Sequence, residues 1–598
     1  MLPPPPAPPG PARAAAPRAL AACITGCLVL ALALLAVLLA CRRLTGGHFV
    51  YALDDSYIGM AIARTLAFHG AWALNPGAFE PAASSPLWVL VLAAADRVAG
   101  ARALTPFALD AALCLALLLA IARVLRHAIP RPWPRAAVAT GIVLLAPAAA
   151  LAVTGMEHAL HALLALGLAG SAARELQADG DESRAIAARR LATLAVLAAL
   201  ATLTRFETLA MVAVFAAMAL RARRPRVAFA LVAGGALGVG AYALPALAHG
   251  GYWLPSSVLI KTRLRGLAGG PRGWLAFTLL TPRTLAAPHN AHVLLLILAA
   301  LAALAALPRR GARDDLAFRA WLAAIVPVTL LQVQAGELSS FFRYEAWLVV
   351  SGLTALAGAT GGAALARHGA APLPRGRLAA LAGVAALLVA ALGVRAYRAF
   401  AWAPLASRNI YEQQYQSARF LRERLPGWRA AVSDIGTVAY YGGDEIVDLA
   451  GLADMTVARA RFADVARSPW LGAYCARRGV GVAILYAGWL AGRGGPPPGW
   501  QALTRWAIRD NLVAAGDTVT VYSTRAATAP ALRAAIAAFE PTLPARVARL
   551  DAAAGPTPGG CNLIPRRRPG ATGRGQRGGA RGDHRGGRRG AAVRLLAH

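Results

Sequence analysis

A polytopic α-helical membrane protein of about eleven transmembrane helices, with a C-terminal extracytoplasmic α/β domain, is the fold class this sequence predicts. Three observations predict it. Of 598 residues, 58% are apolar and 15% charged, with a mean hydropathy of +0.51, where a soluble protein carries about 25% charged residues. Long Ala/Leu/Val runs recur through the first two-thirds of the chain, which excludes a soluble enzyme, a collagen and a disordered chain. From Tyr397 onward the runs give way to short β-like segments between helical or Gly-rich stretches.

Residues 1–18 are Pro/Ala-rich with Arg13 and Arg18 and read as a disordered cytoplasmic arm. Ala19 to Ala40 is long enough to cross a bilayer, which takes about 20 residues, and reads as a retained helix rather than a cleaved signal peptide. Further spans are expected at 104–122, 136–153, 159–172, 191–203, 208–220, 227–247, 286–307, 320–334, 346–365 and 378–396. The apolar stretch Pro86–Ala99 is shorter and contains Asp96-Arg97, which suits an interfacial segment. If it does not span, the Arg-rich connectors 123–135, 173–190, 221–226, 308–319 and 366–377 share the side of the N-terminus, as the positive-inside tendency requires. Residues 19–396 then form the membrane domain, with 41–103 as its first outer loop.

Beyond it, Ala430–Asp434, Glu445–Asp448, Val480–Tyr486 and Thr518–Tyr522 read as strands. They place an α/β domain over 397–565 on the outer face, where the oxidising compartment permits Cys475 and Cys561 to pair. Residues 566–598 are Arg/Gly-rich, without the apolar content for a packed core. The net charge of +34 is carried almost wholly by arginine. It follows a compositional bias and the loop rule, not a nucleic-acid surface. The six cysteines form no CxxC, which argues against structural zinc.

Ionisable groups near a membrane domain are costly and mark functional cavities. On this topology five polar segments reach the outer face. They are Asp54-Asp55; Thr154-Gly155-Met156-Glu157-His158; Arg205-Phe206-Glu207; Leu254-Pro255-Ser256-Ser257 with Lys261; and Arg343-Tyr344-Glu345. Adjacent carboxylates can act as a general base, hold a metal or perturb each other's pKa, while an Asp before a helix is also a good N-cap. Lys261 is the only lysine in the chain, a compact point charge where arginine is a planar fork. Arg205 and Arg343 are candidates for a lipid phosphate, or for pairing with Glu207 and Glu345.

Asp54-Asp55-Ser56-Tyr57-Ile58, then Ala63-Arg64, His69-Gly70, Asn75-Pro76-Gly77 and Ser84-Ser85-Pro86-Leu87-Trp88, resemble the first outer loop of the GT-C superfamily. Its arabinofuranosyl- and mannosyltransferase-like members read roughly DDAYI, HG, NPGE and TSPLW there. Thr154–Glu157 is similar to the family's second loop, Leu203–Glu207 to an LxRPE-like element and Leu254–Lys261 to an LPNTxxxK-like stretch. Ser433–Gly436 with Asp448–Asp454 is similar to an outer-domain D-x-G…DLxGLxD pattern. Phe206 stands where the family often has Pro, and Ser256-Ser257 where it often has Asn-Thr. The second loop offers one acid, Glu157, rather than a pair.

The resemblance implies a membrane glycosyltransferase of the bacterial inner membrane, acting on its extracytoplasmic face. A sugar would pass, with inversion, from a polyprenyl-phosphate donor to a hydroxyl of a glycan, lipid or protein acceptor, in envelope glycan assembly. Asp54 or Asp55 would be the base, while Glu157 and His158 hold the acceptor or orient the base. Lys261, Arg205 and Arg343 would bind the donor phosphate, supported by Glu207, Tyr57, Ser256, Ser257 and Tyr344. A divalent Mg or Mn ion, if used, would sit on Asp55 and Glu157. The competing readings are a transporter or lipid flippase, which would carry inverted repeats, and a non-catalytic envelope scaffold.

Overall fold

The computed structural model describes residues 11–552 except 78, 179–182, 262–274, 276, 308–312, 337, 339, 366–374 and 444. Helix α1 (Pro11–Leu44) begins inside the segment read as an irregular arm. Proline is tolerated at a first helical position and Ala14–Ala16 are strong helix formers, so the helix extends back beyond the apolar run. Helices α2 (Asp55–His69) and α3 (Pro86–Ala99) follow as a packed pair. At 14 residues α3 is about 21 Å long, short of the roughly 30 Å hydrocarbon core.

The bundle continues with α4 (Thr105–Val124), α5 (Pro132–Leu145), the short α6 (Ala148–Ala152), α7 (His158–Glu175), α8 (Arg184–Thr204), α9 (Thr208–Arg221) and α10 (Pro225–Ala248). After α11 (Ser256–Lys261) and α12 (Leu280–Ala286) come α13 (Ala291–Ala306), α14 (Arg313–Ala335), α15 (Ala346–Leu365) and α16 (Arg375–Ile410). A helix falls on each segment expected to span, except that 136–153 is divided at Ala146-Pro147 between α5 and the short α6. Among the described residues seven helices are long and apolar enough to cross a membrane, and two shorter apolar ones are Thr208–Arg221 and Ala346–Gly361. The chain is a multi-pass membrane protein.

The helices pack closely where glycine permits it. Gly234 and Gly238 of α10 lie against the backbone carbonyls of Ala195 and Ala199 on α8, leaving no room for a Cβ. Small residues at a helix interface are the usual route to close packing in lipid.

Helix α16 does not stop where its apolar run ends near 396. It continues to Ile410, passes through a π-helical turn (Tyr411–Tyr415) and becomes α17 (Gln416–Arg424). A six-stranded sheet follows, built from β1 (Ala430–Val432), β2 (Ile446–Asp448), β3 (Val482–Tyr486), β4 (Gln501–Ala507), β5 (Thr518–Ser523) and β6 (Ala548–Leu550), in the order β2-β1-β3-β5-β4-β6. Strands β2, β1 and β3 are parallel and the rest antiparallel. Between them run α18 (Gly436–Tyr441), α19 (Met455–Phe462), α20 (Ser468–Arg477) and α21 (Ala487–Ala491), with α22 (Ala529–Phe539) before β6.

Strands β4 and β6 escaped the sequence pattern. β4 is a partly exposed, bulged strand carrying Gln501 and Arg505, and β6 has three residues. Cys475 is buried within the sheet domain, while Cys561 and the 566–598 tail lie outside the described residues.

Candidate active site

The polar segments singled out in the sequence gather at one end of the bundle, beside the segment that joins α1 to α4 and the sheet domain. Tyr51 is the anchor. Its hydroxyl donates to the Ala103 carbonyl at 2.6 Å and accepts from the Phe107 amide at 3.0 Å, and its ring lies against Gly155. Gly155 has φ +61° and a Cβ there would sit 2.6 Å from the Tyr51 ring, so conformation and space both demand glycine. Around it the Ala52 amide donates to Val153 O (2.9 Å), Trp88 Nε1 donates to Gly155 O (3.1 Å) and the Ser56 hydroxyl donates to Thr154 O. The segments around Tyr51 and Gly155 are therefore one fixed unit. Tyr57 belongs to this packing: it is fully buried and its hydroxyl accepts from the Tyr51 amide at 2.9 Å.

The two adjacent acids part company at the start of α2. Asp54 turns to the sheet domain. Its Oδ2 accepts from the Gly436 amide (2.8 Å), and its Oδ1 from the Thr437 amide (2.7 Å) and the Thr437 hydroxyl (2.6 Å). At the other end of α18, Arg64 donates to the Tyr440 carbonyl (2.8 Å) and the Ala439 carbonyl (3.1 Å). Acid at the N-terminus and base at the C-terminus suit the dipole of that short helix. Asn75 adds a third clasp, exchanging hydrogen bonds with the Ile446 backbone at 3.1 and 3.0 Å.

Burial, and then the charge of nearby Asp434, push the Asp54 carboxyl up to about 7, against the pull of its donors on Thr437 and Gly436. A folded pKa raised above the unfolded 3.8 means the native state binds the extra proton between pH ~4 and ~7. The contribution of Asp54 to stability therefore falls as pH rises through that window. The stability of the native protein relative to Asp54→Asn is expected to decline from pH 4.5 to pH 8 in thermal unfolding. A flat or rising difference contradicts the arrangement.

Asp55 faces the other way. Its side chain remains 30% exposed, and its Oδ2 accepts from Arg343 Nη2 at 2.9 Å. It opens onto a cleft of about 460 Å³ shared by Ser85, Trp88, Met156, Glu157, Ser257 and Leu452. Arg343 is nearly fully buried. One donor goes to Asp55 and another to the Met156 thioether at 2.9 Å, a weak acceptor. Nε has no partner among the described residues.

Arg343 is aimed by an unusual turn, with Phe341 (φ +51°) and Phe342 (φ +61°) both left-handed without glycine, a conformation that costs about 1–2 kcal/mol per residue. Arg395 holds that turn by donating to the Phe342 carbonyl, while pairing with Glu345 at 2.8 Å. Glu345 also bonds His292 at 3.3 Å.

Arg205 is engaged differently. Its Nη1 donates to Glu157 at 2.6 Å, and Nε and Nη2 grip Glu207 at 3.2 and 2.5 Å. The Tyr344 ring lies 5.0 Å from both the Arg205 and the Arg343 guanidinium carbons. Arg205 thus fixes Glu157 at the cleft wall. His158 is buried beside them, with its Nε2 unpartnered among the described residues.

The hydroxyls of Ser85 and Ser257 are buried at the cleft, and that of Ser256 close by, and none has a hydrogen-bond partner among the described residues. Lys261 ends α11, but its side chain lies outside the described residues. No group of three His, Cys, Asp or Glu side chains suited to a metal occurs among the described residues. Asp55 and Glu157 are each committed to an arginine, so the donor set does not fit a metal ion.

Of the loops after the parallel strands, the one after β2 reaches the cleft through Leu452, in keeping with the preference of open α/β sheets for sites beyond their strand C-termini. Asp434, after β1, accepts from the Tyr486 hydroxyl (2.5 Å) and Gln414 (2.8 Å). Asp448, ending β2, gathers the amides of Ala450, Gly451 and Ala453 at 2.7–3.1 Å. This coils the 448–454 loop so that Leu452 reaches the cleft. Burial lifts the Asp448 carboxyl to about 6 despite those amides. The sequence singled out neither Arg395 nor Ser85 as a site residue; the only sign of Ser85 was its place in the Ser-Ser-Pro-Leu-Trp run.

A family description, a domain of unknown function (DUF8728), matches residues 408–522. No curated protein matches the chain. Among solved structures, the chain is similar to ArnT from Cupriavidus metallidurans bound to undecaprenyl phosphate (15% identity, 84% of this chain and 98% of that one, TM-score 0.47). The apo state of the same protein gives 16% identity over 84% and 99%, also with a TM-score of 0.47. The arabinofuranosyltransferase AftD from Mycobacteria gives 17% identity over 83% of this chain and 41% of that one, with a TM-score of 0.41. Identity this low leaves the chemistry to be argued from the chain's own residues.

Proposed function

We propose that this chain is a GT-C-type membrane glycosyltransferase. It moves a sugar, with inversion, from a polyprenyl-phosphate donor to an acceptor hydroxyl on the extracytoplasmic face of a bacterial inner membrane, with its N-terminus in the cytoplasm. One observation carries the reading: a reachable carboxylate, Asp55, lies 2.9 Å from a buried guanidinium that still has an unused donor. A base and an under-satisfied cation side by side are what proton removal and phosphate departure each require. The unpartnered hydroxyls of Ser85 and Ser257 add further polar contacts beside Asp55 and Glu157 in the same cleft.

In this mechanism Asp55 accepts the proton of the attacking hydroxyl as the anomeric carbon–oxygen bond to phosphate breaks. The electron pair of that bond leaves with the phosphate. Arg343 holds Asp55 through their 2.9 Å ion pair and meets the charge growing on the phosphate, with Lys261 as a second cation by resemblance. Glu157, held by Arg205, orients the acceptor. Asp54 keeps the sheet domain seated and is not the base. The 57–99 segment borders the donor groove, the sheet domain receives the acceptor, and envelope glycan assembly is the setting. No step passes through a metal.

Purified full-length protein incubated with labelled polyprenyl-phosphate sugars and glycan, lipid or protein acceptors tests the proposal. A new glycosidic product is expected, and none with any donor overturns it. Arg343→Gln is expected to lower turnover by about 10²–10³-fold, as for loss of a transition-state charge partner, with the protein still monodisperse. Undiminished turnover would remove Arg343 from the mechanism.

A further inference from the structure

At the end of the bundle opposite Asp55, about 30 Å away along the 20-residue α4, lies a second and larger cleft of about 780 Å³. It forms where α4 and α7 end and α14 begins. Arg123 comes from the last turn of α4, Arg126 and His127 from the residues just after it, and Arg174 from the last turn of α7. A single acid, Asp314 in the first turn of α14, faces them. Among the described residues, the side chains of Arg123 and Arg174 make no hydrogen bond and no ion pair, and Arg126 Nε bonds only His127 Nε2, at 2.8 Å.

The inner wall is apolar and stiff. The Phe318 and Trp321 rings stack at 6.3 Å and 10°, and Trp321 Nε1 is tied to the Ser351 hydroxyl at 2.8 Å. Gly170 keeps the floor open between the Trp321 ring and the Arg174 guanidinium, which would lie 3.4 and 3.7 Å from a Cβ placed there. The positive-inside tendency puts arginine in such connectors. It does not gather guanidinium groups from separate helix ends around an aromatic-walled cavity and leave two of them without an ion-pair partner among the described residues.

We propose that this cleft binds a phosphoryl anion. Guanidinium forks arriving from several directions match the several oxygens of a phosphate, and the Phe318–Trp321 wall gives an attached apolar body a surface. The group comes either from a phospholipid headgroup at that membrane surface or from free phosphate. The site is independent of the transfer chemistry proposed above, and its failure would leave that chemistry untouched.

The full-length protein in detergent is given two probes: phosphatidylglycerol, followed by native mass spectrometry, and radiolabelled inorganic phosphate, followed by equilibrium dialysis. The same measurements on Arg123→Gln/Arg174→Gln are expected to show at least a tenfold loss of binding. Loss with the lipid alone identifies the headgroup as the source, and loss with phosphate alone identifies the free anion. Loss with both establishes the shared site. Equal binding by wild type and double variant overturns the proposal. So does failure of the wild type to hold either probe, which decides the matter even if the variant does not fold.

Discussion

Asp55→Asn is expected to lower sugar transfer by about 10²–10⁴-fold, the range a positioned general base contributes, while the protein extracts and unfolds much as before. The isosteric amide keeps a carbonyl oxygen within reach of Arg343 Nη2, now 2.9 Å from the carboxylate, but cannot take the acceptor proton. Asp54→Asn separates the two acids. It leaves one acceptor oxygen where Gly436 and Thr437 now have two, so it should lower thermal stability and cost far less turnover per folded molecule. Product formation by labelled-donor assay, normalised to the monodisperse fraction, checks both. Full turnover in Asp55→Asn would sink the base assignment, and loss confined to Asp54→Asn would transfer it to the neighbouring acid.

Gly155→Ala is expected to be among the most damaging single-methyl changes in the chain. A left-handed alanine costs about 1–2 kcal/mol, and forcing a Cβ into the Tyr51 ring adds about 1–3 kcal/mol of overpacking. Tyr51 cannot easily yield, because its hydroxyl is bonded on both sides to the 103–107 segment. The Tyr51 and Gly155 segments should loosen together, lowering the unfolding midpoint and the folded yield. An unchanged midpoint would mean that the two loops are not joined through this contact.

Hydropathy made the bundle legible, because a lipid-spanning helix must be apolar over its whole length and nothing else in the chain is. The shortness of the Pro86–Ala99 helix was also legible, from the length of its apolar run. The division of labour between Asp54 and Asp55 did not follow. Neighbours in sequence diverge by about 100° at a helix start, and which one meets the cleft depends on Gly436 and Thr437, nearly 400 residues away. In sequence Arg205 stood open between a phosphate and Glu207; its second partner, Glu157, was hidden because it comes from another loop. The aim of Arg343 was equally hidden: Phe341 and Phe342 adopt left-handed backbone without the glycine that would announce it, and Arg395, which holds them, lies over 50 residues further on. Strands β4 and β6 were missed because one is bulged and half-exposed and the other very short.

The unbroken passage from α16 through the π-turn into α17 has a consequence for how such a chain can change. With no slack between membrane and sheet, the azimuth of everything downstream is counted in residues. Adding or removing one in the 397–410 stretch swings the distal body by about 100° and carries Gly436 off Asp54. Seven residues would restore the azimuth but move that body about 10 Å along the axis, out of reach of the 2.8 Å Gly436–Asp54 bond, so the helix fixes both phase and height and acts as a shaft rather than a tether.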